Sequence, residues 1–111
     1  MKVLIVEDDL QTQESYDFAL GAIHELEFAA NMEEAIEMLE TTYYDIAIID
    51  GKIPESNGEA EFNGDQVCRK ASDLGIKVIA ASSQQSHNIK MMQAGATTYY
   101  DKVYWDTEKL I

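Results

Sequence analysis

Apolar residues in this chain come in short unbroken runs, and the most telling runs end in acids. The stretch Tyr44-Asp45-Ile46-Ala47-Ile48-Ile49-Asp50-Gly51-Lys52-Ile53-Pro54 carries an isoleucine-rich segment straight into a carboxylate, a glycine and a proline. A run this short, bounded by turn residues, reads as a strand buried on both faces, as parallel α/β sheets require. Lys2 to Val6 is a second such run and stops at Glu7, Asp8 and Asp9. Ile76 to Ala81, followed by Ser82-Ser83, and Thr97 to Asp101, followed by Lys102, read the same way. His24 to Ala29 is more polar and suits a strand nearer a sheet edge.

Between these runs the spacing turns helical. Leu10 to about Gly21 forms a first helix, with Asp9 or a neighbour as N-cap, Gly21 as a left-handed C-cap, and Leu10, Phe18, Ala19 and Ala22 able to share a face. Asn31 and Glu34 make a capping box ahead of Met32, Ala35, Ile36 and Leu39 at helical spacing. A third helix from about Asp65 turns Val67, Cys68, Ala71 and Leu74 inward and closes at Gly75. A fourth spans Gln84 to Ala94, with Ile89 and Met92 inward and Gly95 as its C-cap. Glu55 to Gly64 holds two Asn-Gly pairs and reads as a polar loop. The tail from Val103 to Ile111 has room for about two helical turns. This βαβαβαβαβ alternation, with a stub of a fifth helix, argues an α/β fold with a doubly wound parallel sheet of five strands, in one domain over 1–111.

Composition narrows the functional classes. Apolar residues make up 46% of the 111, enough for a real core. Eight basic residues against 21 acidic ones give a net charge of −13. Such a surface repels phosphate backbones and anionic lipid, and favours basic protein partners or a divalent cation. The apolar runs are too short to span a membrane, and Met1-Lys2 leads into a strand instead of a signal peptide, so a cytoplasmic protein is expected. The single cysteine, Cys68, excludes an internal disulfide and fits a small core residue.

Four of the five expected strands end in residues that suit one task. Glu7 and Asp8, Asp50, Ser82 and Lys102 would bring three acids, a hydroxyl and an ammonium to one sheet edge, where open α/β sheets bind ligands. Three carboxylates in one crevice repel each other unless protonated or bound to a cation, and all-oxygen ligands on a wet edge suit Mg²⁺. An aspartate beside that ion and a lysine is placed as a nucleophile toward a phosphoryl group, with Ser82 as a hydrogen-bond donor.

The order and separation of Val3-Leu4-Ile5-Val6-Glu7-Asp8-Asp9, the Asp50 strand with Pro54, Val78-Ile79-Ala80-Ala81-Ser82, and Gly95-Ala96-Thr97-Thr98-Tyr99-Tyr100-Asp101-Lys102 resemble the receiver domain of bacterial two-component response regulators, over essentially the full chain. The resemblance implies a flavodoxin-like sheet of strand order 2-1-3-4-5. It implies that Asp50 is the phosphoacceptor, that Asp8 binds Mg²⁺ directly, and that Glu7 acts mostly through water. The backbone carbonyl of Lys52 would be a further ligand. Ser82 and Lys102 would engage the phosphoryl group, and Tyr99 would be the aromatic that turns inward when Ser82 moves. The partners implied are a histidine kinase or histidine phosphotransfer protein and a downstream protein target. No turnover enzyme is implied.

The chain departs from the family pattern in three places. Val103 follows Lys102 where a proline is usual, the last helix is short, and the loop before the third helix carries about six extra residues, expected to be a tolerated surface insertion. Two other readings compete. One is a receiver-fold interaction module switched without phosphorylation. The other is a phosphatase with an aspartyl nucleophile, which would want a second acid two residues after Asp50, where Lys52 stands.

Overall fold

The structure, a computed structural model, describes residues 1–55 and 58–101. The elements run β1 (Lys2–Val6), α1 (Leu10–Leu20), β2 (Glu25–Ala29), α2 (Met32–Thr41), β3 (Ile46–Ile49), β4 (Lys52–Pro54), β5 (Ala60–Phe62), α3 (Gly64–Asp73), β6 (Lys77–Ser82), α4 (Gln85–Gln93) and β7 (Thr98–Asp101). Five strands form a parallel sheet in the order β2-β1-β3-β6-β7. With the short strands β4 and β5 set aside, this is the expected order 2-1-3-4-5.

The continuous apolar runs do what two-sided burial demands. Val3, Leu4, Ile5 and Val6 are all buried, as are Ile46 to Ile49. Successive side chains alternate between two cores. Leu4, Val6, Ala47, Ile49, Val78 and Ala80 face one cluster, which takes Ala35 and Leu39 from α2 and Val67, Cys68 and Ala71 from α3. Val3, Ile5, Ile46, Ile48, Ile79 and Ala81 face the other, closed by Tyr16 and Leu20 of α1. Burial, and then the charge of Asp65, push the Cys68 thiol up to about 12, so it stays an uncharged core group.

The polar β2 lies at the sheet edge, as its sequence suggests. Asp9 caps α1, its Oδ2 accepting from the Thr12 amide at 3.0 Å, and Asn31 caps α2, accepting from the Glu34 amide at 2.8 Å. Gly75 and Gly95 leave α3 and α4 at φ of 79° and 118°, left-handed values that favour glycine.

Five expectations are corrected. Gly21 ends α1 in a right-handed conformation, φ −67°, and its amide donates to Asp17 O. The buried stripe of α1 is Tyr16 and Leu20, four residues apart, while Leu10 and Phe18 are exposed, Phe18 at 93%. In α4 the inward positions are Asn88 and Met91; Ile89 and Met92 lie on the outer side, and Leu74, at the end of α3, is also largely exposed. The stretch read as a polar loop, Glu55 to Gly64, supplies a strand, β5, whose Phe62, Glu61 and Ala60 pair in an antiparallel ribbon with Lys52, Ile53 and Pro54 just before that stretch. The expected short last helix, with Val103, lies outside the described residues.

Candidate acidic phosphoryl site

Strand order reverses beside β1, which has β2 on one side and β3 on the other. The crevice at such a point, beyond the carboxyl ends of the strands, is where open α/β sheets bind ligands. Here β1 ends at Glu7 and Asp8, and β3 ends at Asp50. One carboxylate oxygen from each of the three lies within 4.8 Å of the other two. Glu7 is buried, Asp50 half-buried and Asp8 exposed, so the cluster runs from the core to water. The Asp50 amide donates to Val6 O at 3.0 Å, and Gln13 Nε2 donates to Glu7 O at 2.6 Å, which fixes both strand ends.

These acids line a cleft of about 310 Å³ together with Lys52, Ala60 and Ser82. Oxygens on an octahedral Mg²⁺ stand about 3.0 Å apart when adjacent and about 4.2 Å apart when opposite, so three carboxylates within 4.8 Å of one another would hold a hard cation with the carboxylates drawn in or with water filling the wider gaps. An all-oxygen donor set also favours Mg²⁺ or Ca²⁺ over softer metals.

Ser82 ends β6 on the same edge and is buried. Its Oγ accepts from the Gln84 amide at 3.0 Å, a bond that leaves the hydroxyl proton available to donate. Lys52 belongs to the ribbon. Gly51 O accepts from the Asn63 amide at 3.2 Å, flanking the Lys52–Phe62 pair, so that pair occupies a non-hydrogen-bonded position of the ladder and the Lys52 carbonyl is not consumed by β5. Tyr99, on β7, is 46% exposed. Lys102 lies outside the described residues.

Two contributors, Tyr16 and Asn88, escaped the sequence reading, and Gly64, read there as part of the loop, supports the site as well. Tyr16 reaches under the site from α1; burial, and then the negative charges of Glu7 and Asp50, raise its phenol well above the ordinary tyrosine range. Its signal was only an aromatic four residues before Leu20. Gly64 lets α3 start against the turn that carries Asp50: a Cβ there would clash with Asp50 O and stand 2.9 Å from Gly51 Cα. Asn88 holds the Ser82 backbone from α4. A polar residue at a helix-inward position gives no periodic signal.

The chain matches the family model for the response regulator receiver domain over residues 3–111. It is 30% identical over 111 residues to the Bacillus subtilis transcriptional regulatory protein YhcZ, covering 97% of this chain and 50% of that protein. It is 29% identical over 107 residues to a Bradyrhizobium diazoefficiens protein-glutamate methylesterase/protein-glutamine glutaminase, covering 92% of this chain and 26% of that one. The chain therefore spans half or less of the length of these curated relatives. Among solved structures, a CheY-like receiver domain protein from Methanospirillum hungatei superposes with a TM-score of 0.81 at 27% identity, over 98% of this chain and 86% of that one. A Burkholderia pseudomallei response regulator, solved with a phosphorylated aspartic acid and a calcium ion, gives a TM-score of 0.81 at 15% identity, over 98% of this chain and 63% of that one, a likeness of fold. No helix among the described residues is long and apolar enough to cross a membrane.

Proposed function

The chain belongs to the response regulator receiver family, and from that premise we propose that it accepts a phosphoryl group on Asp50 and uses it to change the binding of a protein partner. One observation carries the reading: oxygens of Glu7, Asp8 and Asp50 converge within 4.8 Å at the carboxyl ends of β1 and β3. In this reading Asp8 and Asp50, the Lys52 carbonyl, and Glu7 mostly through water would hold Mg²⁺. The ion, when bound, offsets the charge that spreads over the equatorial phosphoryl oxygens in the transition state.

The chain's own groups do the rest. An Asp50 carboxylate oxygen attacks phosphorus as the bond to the donor's nitrogen or oxygen breaks, and the donor leaves with the electron pair. Ser82, its proton not used by the Gln84 contact, turns to donate to a phosphoryl oxygen, and Lys102 supplies a positive charge. Because Ser82 is bonded to Asn88 and Gln84, its movement pulls on the start of α4. Tyr99, partly exposed on β7, would turn inward as Ser82 leaves. The domain biases an existing equilibrium between two arrangements of this face and has no turnover substrate.

The donor in this reading is a phosphohistidine of a kinase or phosphotransfer protein, in the cytoplasm, and the target is another protein. The net charge of −13 disfavours direct contact with nucleic acid. The test is intact mass after incubation with an acyl phosphate. A gain of one phosphoryl group that needs Mg²⁺ and disappears in Asp50→Asn supports the proposal. No gain under any condition overturns it in favour of an interaction module switched by contacts alone.

A further inference from the structure

The ribbon of β4 and β5 does not project into solvent as an isolated hairpin. Phe62, at its base, stacks on His87 of α4 with ring centroids 4.4 Å apart and planes 24° from parallel. Lys90, one turn further along α4, places its Nζ 5.4 Å from the same ring. The floor of this contact is equally close. A Cβ on Gly51 would come within 3.0 Å of His87 Cβ, and one on Gly64 within 2.8 Å of Met91 Sδ. Asn63 locks the ribbon base, its Nδ2 donating to Ile53 O at 2.8 Å. A segment that leaves the Asp50 strand thus grips the helix that Asn88 ties to Ser82.

We propose that the ribbon is a strap on α4: Phe62, seated on His87, holds the helix in the arrangement in which Ser82 Oγ is engaged by Gln84, so that a phosphoryl group on Asp50 must shift α4 against this contact. The proposal rests on the phosphoacceptor reading and adds a regulatory element to it. The strap acts through α4 and not through the acids, making Phe62 and His87 positioning residues. His87 suits the role as a neutral ring: burial, and then the positive charges of Lys52 and Lys90, hold its imidazole below the usual histidine range. A ligand that favours the shifted arrangement binds more weakly when a contact favours the other, and removal of that contact must tighten it by the same factor.

The experiment titrates beryllofluoride, an inert phosphoryl mimic, into the full chain with saturating Mg²⁺, following the amide resonances of Ser82, Gln84 and Asn88. Phe62→Ala is expected to bind roughly 3- to 10-fold tighter than wild type, the range one aromatic stack is worth. His87→Ala, which breaks the same contact from the helix side, should give a similar gain, and the double variant little more. Phe62→Tyr should behave as wild type. Mg²⁺ affinity measured without beryllofluoride should not change in any of them, which separates a strap on α4 from a disturbed acid cluster. Equal or weaker beryllofluoride binding by both folded single variants overturns the strap. If wild type itself fails to bind the mimic, the phosphoacceptor reading has failed, and amide hydrogen exchange then decides the strap alone. Faster exchange at Asn88 and Met91 in Phe62→Ala supports it, and unchanged exchange overturns it.

Discussion

Asn88 of α4 holds the end of β6 by both hands of the Ser82 peptide: its Oδ1 accepts from the Ser82 amide and its Nδ2 donates to the Ser82 carbonyl, each at 3.0 Å. Asn88 is fully buried. Asn88→Ala strands a buried donor and acceptor together, and unfolding in urea should show a loss of about 2–3 kcal/mol. Asn88→Asp restores the acceptor alone and should remain well below wild type.

Gly64→Ala should be among the most damaging small substitutions. The added methyl meets backbone at Asp50 O and Gly51 Cα, neither of which can swing aside as a side-chain tip does. Overpacking of this kind costs about 1–3 kcal/mol or more. Because the clash falls on the turn that carries Asp50, phosphoryl transfer from an acyl phosphate should slow by a larger factor than stability alone explains.

Mg²⁺ should raise the thermal midpoint of the wild-type chain, since an ion that binds only the folded cluster stabilises it by about 2.7 kcal/mol at a hundred times its Kd. Asp8→Asn and Asp50→Asn each remove one of the three converging carboxylates and should shrink that shift. A chelator should return wild type to its metal-free midpoint. Calorimetry with and without the ion checks all three.

Tyr44 donates its hydroxyl to Glu27 Oε1 at 2.6 Å, with Lys2 bridging Glu27 and Glu25 at 3.4 and 3.6 Å. Burial, and then this bond, raise the Tyr44 phenol to about 12. The unfolded phenol loses its proton near pH 10 while the folded one keeps it, so the contribution is whole below pH 10 and is lost between 10 and about 12. Tyr44→Phe should cost about 1 kcal/mol at neutral pH and flatten that alkaline decline, read from urea midpoints.

His87 gives the mirror case on the acid side. Its folded imidazole titrates below 6.5, so under that pH the unfolded chain takes up a proton that the folded chain refuses. Its contribution is whole above pH 6.5 and fades as pH falls through the lowered folded value. His87→Phe keeps an aromatic ring against Phe62 and cannot titrate; its urea midpoint should fall less than that of wild type between pH 7 and 5.5.

The legibility of this chain followed burial. Val3 to Val6 and Ile46 to Ile49 are enclosed on both faces, so their apolar runs were unbroken and pointed straight at Glu7, Asp8 and Asp50. The capping box at Asn31 was visible because a cap is a local interaction. The ribbon was not, since strands of three residues carry no period and an aromatic such as Phe62 looks incidental between Glu61 and Asn63. On α4 helical spacing points aliphatic Ile89 and Met92 inward, whereas the structure buries Asn88 and Met91. Asn88 is buried for the hydrogen bonds it makes, and those depend on β6, a distant partner that helical spacing cannot name.

β2 pairs with β1 and, among the described residues, with nothing on its other side. An open strand edge invites a second copy to add on, yet this one carries Glu25 and Glu27, both paired with the single ammonium of Lys2. Two copies meeting edge to edge would set these carboxylates against their own counterparts, on chains already at −13. Protection against self-association is therefore electrostatic at this edge and weakens as ions screen it, so storage in concentrated salt is the condition most apt to bring copies of this sheet together.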